Sequence, residues 1–196
     1  MADGFHPRRG GGVMATFAAH EADLLRNLAA QIIELLRHES AVPPEEGDSL
    51  ESMLDFTGPT TAPDDPVLAR LFPDAYRDDP DAAGDFRRFT ESDLRAGKAS
   101  QAAAVIDDLE GAGLGDEPES GTVIDVELDT ARATEWLKAF NDIRLALGTR
   151  LGIEDEDTVD QVPDDDPRAV VVEIYHWTSY LQESLVHALS ARANRP

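Results

Sequence analysis

The sequence predicts a mainly α protein, a helical bundle with a small β element formed by the N-terminal segment and residues 123–128. Three observations support this fold class. Several long stretches repeat apolar residues at intervals of three and four, the spacing of a helix that buries one face. Two short stretches are instead rich in strand-forming residues. Clusters of proline, glycine and acidic residues separate these stretches, where turns and loops are expected.

The β element begins near the N-terminus. Residues 5–17 contain two short extended pieces around the glycines at 10–12, and the piece at 13–17 is the better strand candidate. Glycines suit a tight turn between two such pieces. We therefore expect residues 1–12 to be a flexible or hairpin segment, followed by a single helical domain over residues 13–192.

The first helix is predicted from about Ala19 to His38, and Pro43-Pro44 lies beyond its end. Its apolar face is made by six aliphatic residues: Leu24, Leu25, Leu28, Ile32, Leu35 and Leu36. An acidic loop over residues 41–65 follows. Asp65-Pro66 then begins a short helix that ends near Phe72, with proline at its first position.

Two further helices are expected before the second strand. A short one covers residues 81–89 and a longer one covers residues 90–109, because Thr90-Glu91-Ser92-Asp93 has the form of a capping box. A flexible acidic loop over residues 111–121 leads to the strand at 123–128. Asp129 or Thr130 is then the expected N-cap of the next helix.

The most regular helical pattern covers residues 131–151, and Gly152 is well placed as its C-terminal cap. Its apolar stripe consists of Trp136, Phe140, Ile143 and Leu147. Residues 154–166 contain eight carboxylates and no Lys or Arg, which predicts a solvated acidic loop. The last helix is predicted over residues 168–192, with Trp177 on its buried face.

The composition excludes several classes of function. The chain has no cysteine among its 196 residues, so disulfides, thiol nucleophiles and thiolate metal sites are absent. No apolar run approaches a membrane span of roughly 18 residues, and no signal-peptide core follows the first arginines, so the cytoplasm is expected. Forty carboxylates against 17 Lys and Arg give a net charge of −23. Such a charge disfavours direct DNA binding and favours either a basic protein partner or simple solubility.

Motifs for metal binding or catalysis are incomplete. An EF-hand loop that began at Asp155 would need glycine at its sixth position, where the chain has Asp160. Glu173 and His176 have the Glu-x-x-His spacing of a di-iron bundle, but the sequence has no second copy. A nucleophile elbow and a phosphate-binding glycine loop are also missing. We therefore predict no catalytic, cofactor-binding or metal-binding residues.

Polar residues lie close to both tryptophan stripes. They could form a buried network that fixes the helix register, or a surface that faces a partner. Arg–carboxylate pairs that join the helices are the favoured interpretation. The candidate partner interface comprises Arg70, Phe72, Asp74, Asn141, Asp142, Arg144, Arg150, Gln182 and Glu183.

Four segments, at residues 65–76, 86–95, 136–151 and 177–185, carry a family resemblance. The most specific reads Trp136-Leu137-Lys138-Ala139-Phe140-Asn141-Asp142-Ile143-Arg144-Leu145-Ala146-Leu147-Gly148-Thr149-Arg150-Leu151. In this order the segments resemble an actinobacterial family that was first described only as a domain of unknown function. It is named after its member AosR, an oxidative-stress transcriptional regulator. The resemblance covers most of residues 13–190.

The resemblance implies a non-enzymatic cytoplasmic regulator that contacts a sigma factor or RNA polymerase, with sulfur and cysteine metabolism among the responses. An adaptor or accessory factor for proteolysis or sulfur transfer is the alternative, and a metalloenzyme built on Glu173 and His176 is a third hypothesis. The family has no established catalytic residues to carry over. A thiol redox sensor needs cysteine, so this chain departs from that picture. The oligomeric state stays open, a dimer included.

Overall fold

The computed structural model describes residues 3–38, 58–116, 121–153, 162–163 and 165–193. Within these ranges the elements follow the chain as β1 (His6–Pro7), β2 (Val13–Ala18), α1 (Ala19–His38), α2 (Pro66–Leu71), α3 (Pro80–Gly111), β3 (Val123–Leu128), α4 (Thr130–Leu151) and α5 (Ala169–Ala193). The predicted fold class, mainly α with a small β element, is confirmed. Most of the acidic loops predicted at 41–65 and 154–166 lies outside the described residues.

The three strands form one antiparallel sheet in the order β1-β2-β3. His6 lies opposite Met14, and Val13 lies opposite Leu128. The turn between β1 and β2 needs glycine at its last position for two reasons. Gly12 has a φ of +81°, and a Cβ added there would lie 2.1 Å from the carbonyl oxygen of Leu128. A side chain at residue 12 would therefore push the turn between β1 and β2 away from β3.

One face of the sheet covers an aromatic cluster. Side chains of β2 and β3 are alternately buried and exposed, as expected for a sheet with one solvated face. Phe5 lies beneath it, with its ring centroid 5.8 Å from that of Trp136 and 6.0 Å from that of Phe17. The amide of Phe5 donates to Oγ of Ser184 in α5 at 3.0 Å. The N-terminal segment thus packs into the core and contacts the last helix.

Local caps explain where the first two helices begin. Glu21 in the first turn of α1 accepts from the amide of Ala18 at 2.9 Å, which is the return bond of a capping box. Asp65 caps α2, because its Oδ1 accepts from the amides of Val67 and Leu68 at 2.7 and 3.0 Å. The predicted start of the short helix at Pro66 is confirmed.

The division predicted between residues 81–89 and 90–109 is wrong, because α3 runs without a break from Pro80 to Gly111. Thr90 is not an N-cap: its hydroxyl donates back to the carbonyl of Phe86 at 2.8 Å, as threonine does inside a helix. The guanidinium of Arg87 also contacts Glu91 across the predicted boundary. This i, i+4 pair stabilises the helix where the capping motif would have ended it.

The second half of the chain follows the predicted helices closely. Asp129 is the N-cap of α4, since its carboxylate accepts from the amide of Arg132 at 2.8 Å. Gly152 ends the helix in the left-handed conformation with a φ of +70°. Helix α4 packs against α3 on one side and α5 on another, and α1 packs against α3. None of the described helices combines the length and apolar composition needed to cross a membrane.

Candidate interaction site

Charged side chains on the middle of α3 point into the protein. Arg87, Glu91 and Arg95 lie one helical turn apart, and only 2% of Glu91 is exposed. The Nη1 of Arg87 donates to Oε2 of Glu91 at 2.5 Å, and the Nε of Arg95 donates to Oε1 at 2.8 Å. Each oxygen of the buried carboxylate therefore accepts from a different guanidinium group.

The same two arginines bind the ends of neighbouring helices. The Nη2 of Arg87 donates to the carbonyl of Phe72, the C-cap of α2, at 2.9 Å and to Oδ1 of Asp74 at 2.8 Å. The Nη1 of Arg95 donates to the carbonyl of Leu36, in the last turn of α1, at 3.1 Å. Carbonyls at helix C-termini lack helical partners. The arginines of α3 supply those partners and so tie α1 and α2 to it.

The protonation state of this cluster follows from its hydrogen bonds. Burial lowers the pKa of Arg87, but the hydrogen bonds and charges of Asp74 and Glu91 outweigh it and raise the pKa above its ordinary value. Arg87 is therefore fully charged at neutral pH. Removing one partner from such a buried set leaves an uncompensated charge, so the cluster depends on all of its members.

Lys98 of α3 contacts two of the predicted interface residues, Phe72 and Asp142, which lie in separate segments of the sequence. Its ammonium lies 5.8 Å from the ring centroid of Phe72 and 2.7 Å from Oδ1 of Asp142. The guanidinium of Arg95 also lies 4.8 Å from the ring centroid of Phe72. Phe72 and Asp142 are each only 3% exposed, so they act inside the protein in this structure. Sequence reasoning did not identify Lys98, because neither periodicity nor a motif marks it.

A second group of predicted residues joins α4 to α5. The Nε of Arg144 donates to Oγ of Ser179 at 2.8 Å, and its Nη1 donates to Oε1 of Gln182. The guanidinium also lies 5.6 Å from the ring centroid of Tyr175. Arg144 therefore links the two helices through a hydroxyl and a carboxamide, whereas the sequence favoured Arg–carboxylate pairs between them.

The other predicted interface residues are exposed: Arg70, Asp74, Asn141, Arg150 and Glu183. Asp74 contacts Arg87, and Glu183 lies 3.8 Å from His187. Arg150 lines a small groove between α1 and α4, together with apolar residues and Gln31. The exposed Arg70 and Asn141 lie close in sequence to Phe72 and Asp142, the two residues that Lys98 joins. The interface itself stays a prediction.

A third tie joins α3 to α4 and was not found from the sequence. The indole Nε1 of Trp136 donates to Oδ2 of Asp108 at 2.7 Å, and the Nε of Arg132 donates to the same oxygen at 2.9 Å. Burial lowers the pKa of Arg132, while Asp108 and then Glu135 raise it, with a net increase above its ordinary value. The available signal was Trp136 itself, because a buried indole usually needs an acceptor.

The Glu and His pairs show no metal-binding arrangement in the described part of the chain. No group of three or more His, Asp or Glu side chains is placed there to hold a metal ion. Glu183 and His187 form a distant surface pair at 3.8 Å, and Glu34 lies 3.6 Å from Arg37. The side chain of His38 lies outside the described residues. The charged side chains described above contribute to helix packing.

Comparisons with known proteins identify the family. A family model described as a domain of unknown function, DUF2017, matches residues 2–189. The oxidative stress regulator AosR of Mycobacterium tuberculosis (strain ATCC 25618 / H37Rv) is 35% identical over 196 residues, covering 93% of this chain and 84% of that protein. The protein of the same name from Mycobacterium bovis has the same identity and coverage. A relative from Mycobacterium leprae is 36% identical over 188 residues, covering 89% of this chain and 81% of its own. No solved structure matches. The chain therefore belongs to the DUF2017 family, as the four sequence segments had indicated.

Proposed function

We propose that this chain is a non-enzymatic regulator of transcription that acts in the cytoplasm by contacting a sigma factor or RNA polymerase. The observation that carries the proposal is its similarity, over most of its length, to relatives named oxidative stress regulators. The use of the charged side chains agrees with it. Arg87, Arg95 and Arg144 hold helices together, which supports a rigid binding surface better than a reaction centre.

The contact surface that we propose surrounds the junction of α2, α3 and α4. Lys98 contacts both Asp142 and Phe72. Arg70 lies two residues before Phe72, Asn141 lies directly before Asp142, and both are exposed. A surface held in place by buried contacts loses little backbone entropy when a partner binds, because its backbone is already ordered. Polar and charged side chains on such a surface can also give specificity, because they must be matched by complementary groups on the partner.

Charge favours a protein over DNA as the partner. The net charge of −23 opposes the approach of phosphates, so affinity for a duplex would need a local basic patch. The absence of cysteine bears on how a stress signal would reach this protein. A thiol–disulfide sensor cannot operate on this chain alone, so we propose that oxidant sensing lies with a partner. Regulation of cysteine metabolism would then be a consequence of which promoters the partner serves.

The test is an affinity purification of the tagged protein from its native host, with nuclease treatment and mass spectrometry. Wild-type protein should capture a sigma factor or RNA polymerase. The double variant R70A/N141A should lose most of that capture, while a control double variant S92A/E173A on exposed positions of α3 and α5 should retain it.

One result would contradict the proposed function, and another would contradict only the proposed contact surface. Capture of protease or sulfur-transfer proteins without any transcription protein would favour the adaptor function instead. Equal capture of a sigma factor by wild-type protein and R70A/N141A would keep the regulatory role and remove this surface from it.

A further inference from the structure

One edge of the sheet has no strand beside it among the described residues. Strand β3 pairs with β2 from Val123 to Leu128, and it is the last strand in the order β1-β2-β3. The register determines which backbone groups point away from β2. Ala19 lies opposite Thr122 in continuation of the ladder, and its amide donates to the carbonyl of Thr122 at 2.9 Å. The backbone groups of Thr122 therefore point towards β2.

The backbone N–H and C=O groups of successive residues in an antiparallel strand point to alternate neighbours. Those of the even-numbered residues of β3 therefore point towards β2, as those of Thr122 do. The amides and carbonyls of Val123, Asp125 and Glu127 then point outward from the sheet. None of these three residues makes a backbone hydrogen bond to another described segment. Three consecutive outward positions provide the pattern that an added strand needs.

The side chains beside this edge define what could bind there. Val123 is 58% exposed, and the exposed Asp125 and Glu127 follow it at alternate positions on the solvated face. Asp125 accepts from the hydroxyl of Thr16 through Oδ1, and Glu127 lies 2.8 Å from the guanidinium of Arg8. One arginine faces two carboxylates here, so the edge keeps an excess of negative charge.

We propose that the outer edge of β3 binds an extended basic segment of a partner protein, which adds a fourth strand to the sheet. Side chains directly opposite each other on paired strands lie roughly 5 Å apart. Lys or Arg at alternate positions of the added strand would face Asp125 and Glu127. A second copy of this chain fits poorly, because antiparallel pairing of two β3 edges would bring carboxylates against carboxylates. The inference rests on the proposed function only in requiring a protein partner.

Hydrogen exchange measured by NMR tests the edge directly. In the free protein the amides of Val123, Asp125 and Glu127 should exchange quickly, while those of Ile124, Val126 and Leu128 should be protected. A blocked octapeptide of alternating Lys and Thr should slow the outward amides by on the order of tenfold when it pairs with them. The same peptide with Glu in place of Lys should leave them unchanged. Protection of the outward amides in the free protein, no change with the basic peptide, or equal effects of both peptides would overturn the inference.

Charge reversal separates the edge from the overall charge of the protein. The variant D125K/E127K should weaken binding of the basic peptide on the order of tenfold at low salt, because two attractive cross-strand pairs become repulsive. The control D93K/E173K changes the net charge equally at exposed helical positions and should bind nearly as tightly as wild type. Melting temperatures of both variants establish that they fold. Equal weakening by both would overturn the inference, because it would show attraction to the protein's overall charge.

The same variants distinguish this inference from the proposed function. If wild-type protein captures a sigma factor from the native host and D125K/E127K captures it equally, the regulatory role stands and the edge is not its contact. If the basic peptide protects the β3 amides but no transcription protein is captured, the edge binds a strand and the proposed function fails. Loss of the sigma factor with D125K/E127K, but not with D93K/E173K, supports both.

Discussion

The buried carboxylate of Glu91 allows the ionic cluster of α3 to be tested quantitatively. Replacing Glu91 with Gln keeps the shape of the side chain but removes its charge and leaves Arg87 and Arg95 without their shared anion. Breaking a buried ion pair by removing one partner typically costs 3–5 kcal/mol, roughly. Arg87 keeps Asp74 and Arg95 keeps the carbonyl of Leu36. We therefore expect the lower end of that range, about 3 kcal/mol in the free energy of unfolding.

Urea unfolding followed by tryptophan fluorescence measures this loss, because Trp136 and Trp177 are both buried. With a urea dependence of about 2 kcal/mol per molar, the midpoint should fall by about 1.5 M. The matched control is E135Q, which alters another Glu–Arg contact: Glu135 lies 3.0 Å from Arg132, but 42% of its side chain is exposed. Exposed pairs contribute about 0–1 kcal/mol, so its midpoint should move by less than about 0.5 M. Equal shifts in the two variants would refute the reasoning that burial makes the Glu91 cluster costly to break.

Three further predictions concern the turn between β1 and β2, the hydrogen bond of the Trp136 indole and the carboxylate of Asp166. G12A should lower the melting temperature more than G10A, because both positions have positive φ but only the Cβ at residue 12 would meet Leu128, at 2.1 Å; equal melting temperatures would contradict the close approach. D108A should cost about 1–3 kcal/mol in urea unfolding, since it leaves the buried indole N–H of Trp136 without its acceptor, and a near-neutral effect would show that another acceptor replaces it. The hydrogen bonds from Arg168 lower the pKa of Asp166 from 3.8 to about 2. The stabilisation that this carboxylate provides should therefore be complete above the pKa of Asp166 in the unfolded chain, and it should be lost as the pH falls towards 2. Carboxyl NMR titration of R168Q, which keeps the backbone amide of residue 168, should show the pKa of Asp166 moving towards its ordinary value. An unchanged pKa would exclude the side chain of Arg168 as the cause.

Local chemistry explains why most of the helix and strand positions could be predicted. Asp65, Asp129 and Gly152 act at the ends of their own helices, so each signal lies within a few residues of its effect. The strand at 123–128 likewise has its inward and outward residues fixed by alternation. The break predicted at Thr90 failed because the capping motif competes with the Arg87–Glu91 contact across it. Sequence alone does not give the burial that makes this contact dominant.

The candidate site was less predictable because its contacts join distant parts of the chain. The polar character of Asp142 is evident from the sequence, but its partner Lys98 lies 44 residues away. Arg144 and Gln182 are separated by 38 residues in the same way. No local period connects such residues, so their burial follows from helix packing, which the sequence did not specify. Phe5 is a similar case, because its place in the core depends on Trp136 and on Ser184 of α5.

The internal use of arginine also bears on what the surface offers to a partner. Arg87 and Arg95 share the buried carboxylate of Glu91, and other donors of the two guanidinium groups bind Phe72, Leu36 and Asp74. The chain has only 17 Lys and Arg against 40 carboxylates, so each cation held inside is one fewer to balance the surface. The ties that make the scaffold rigid thus leave its exterior more acidic. An acidic exterior raises the rate of encounter with basic protein surfaces and opposes nucleic acid. The same side chains therefore stabilise the fold and leave a surface whose charge complements the basic protein partner that we propose.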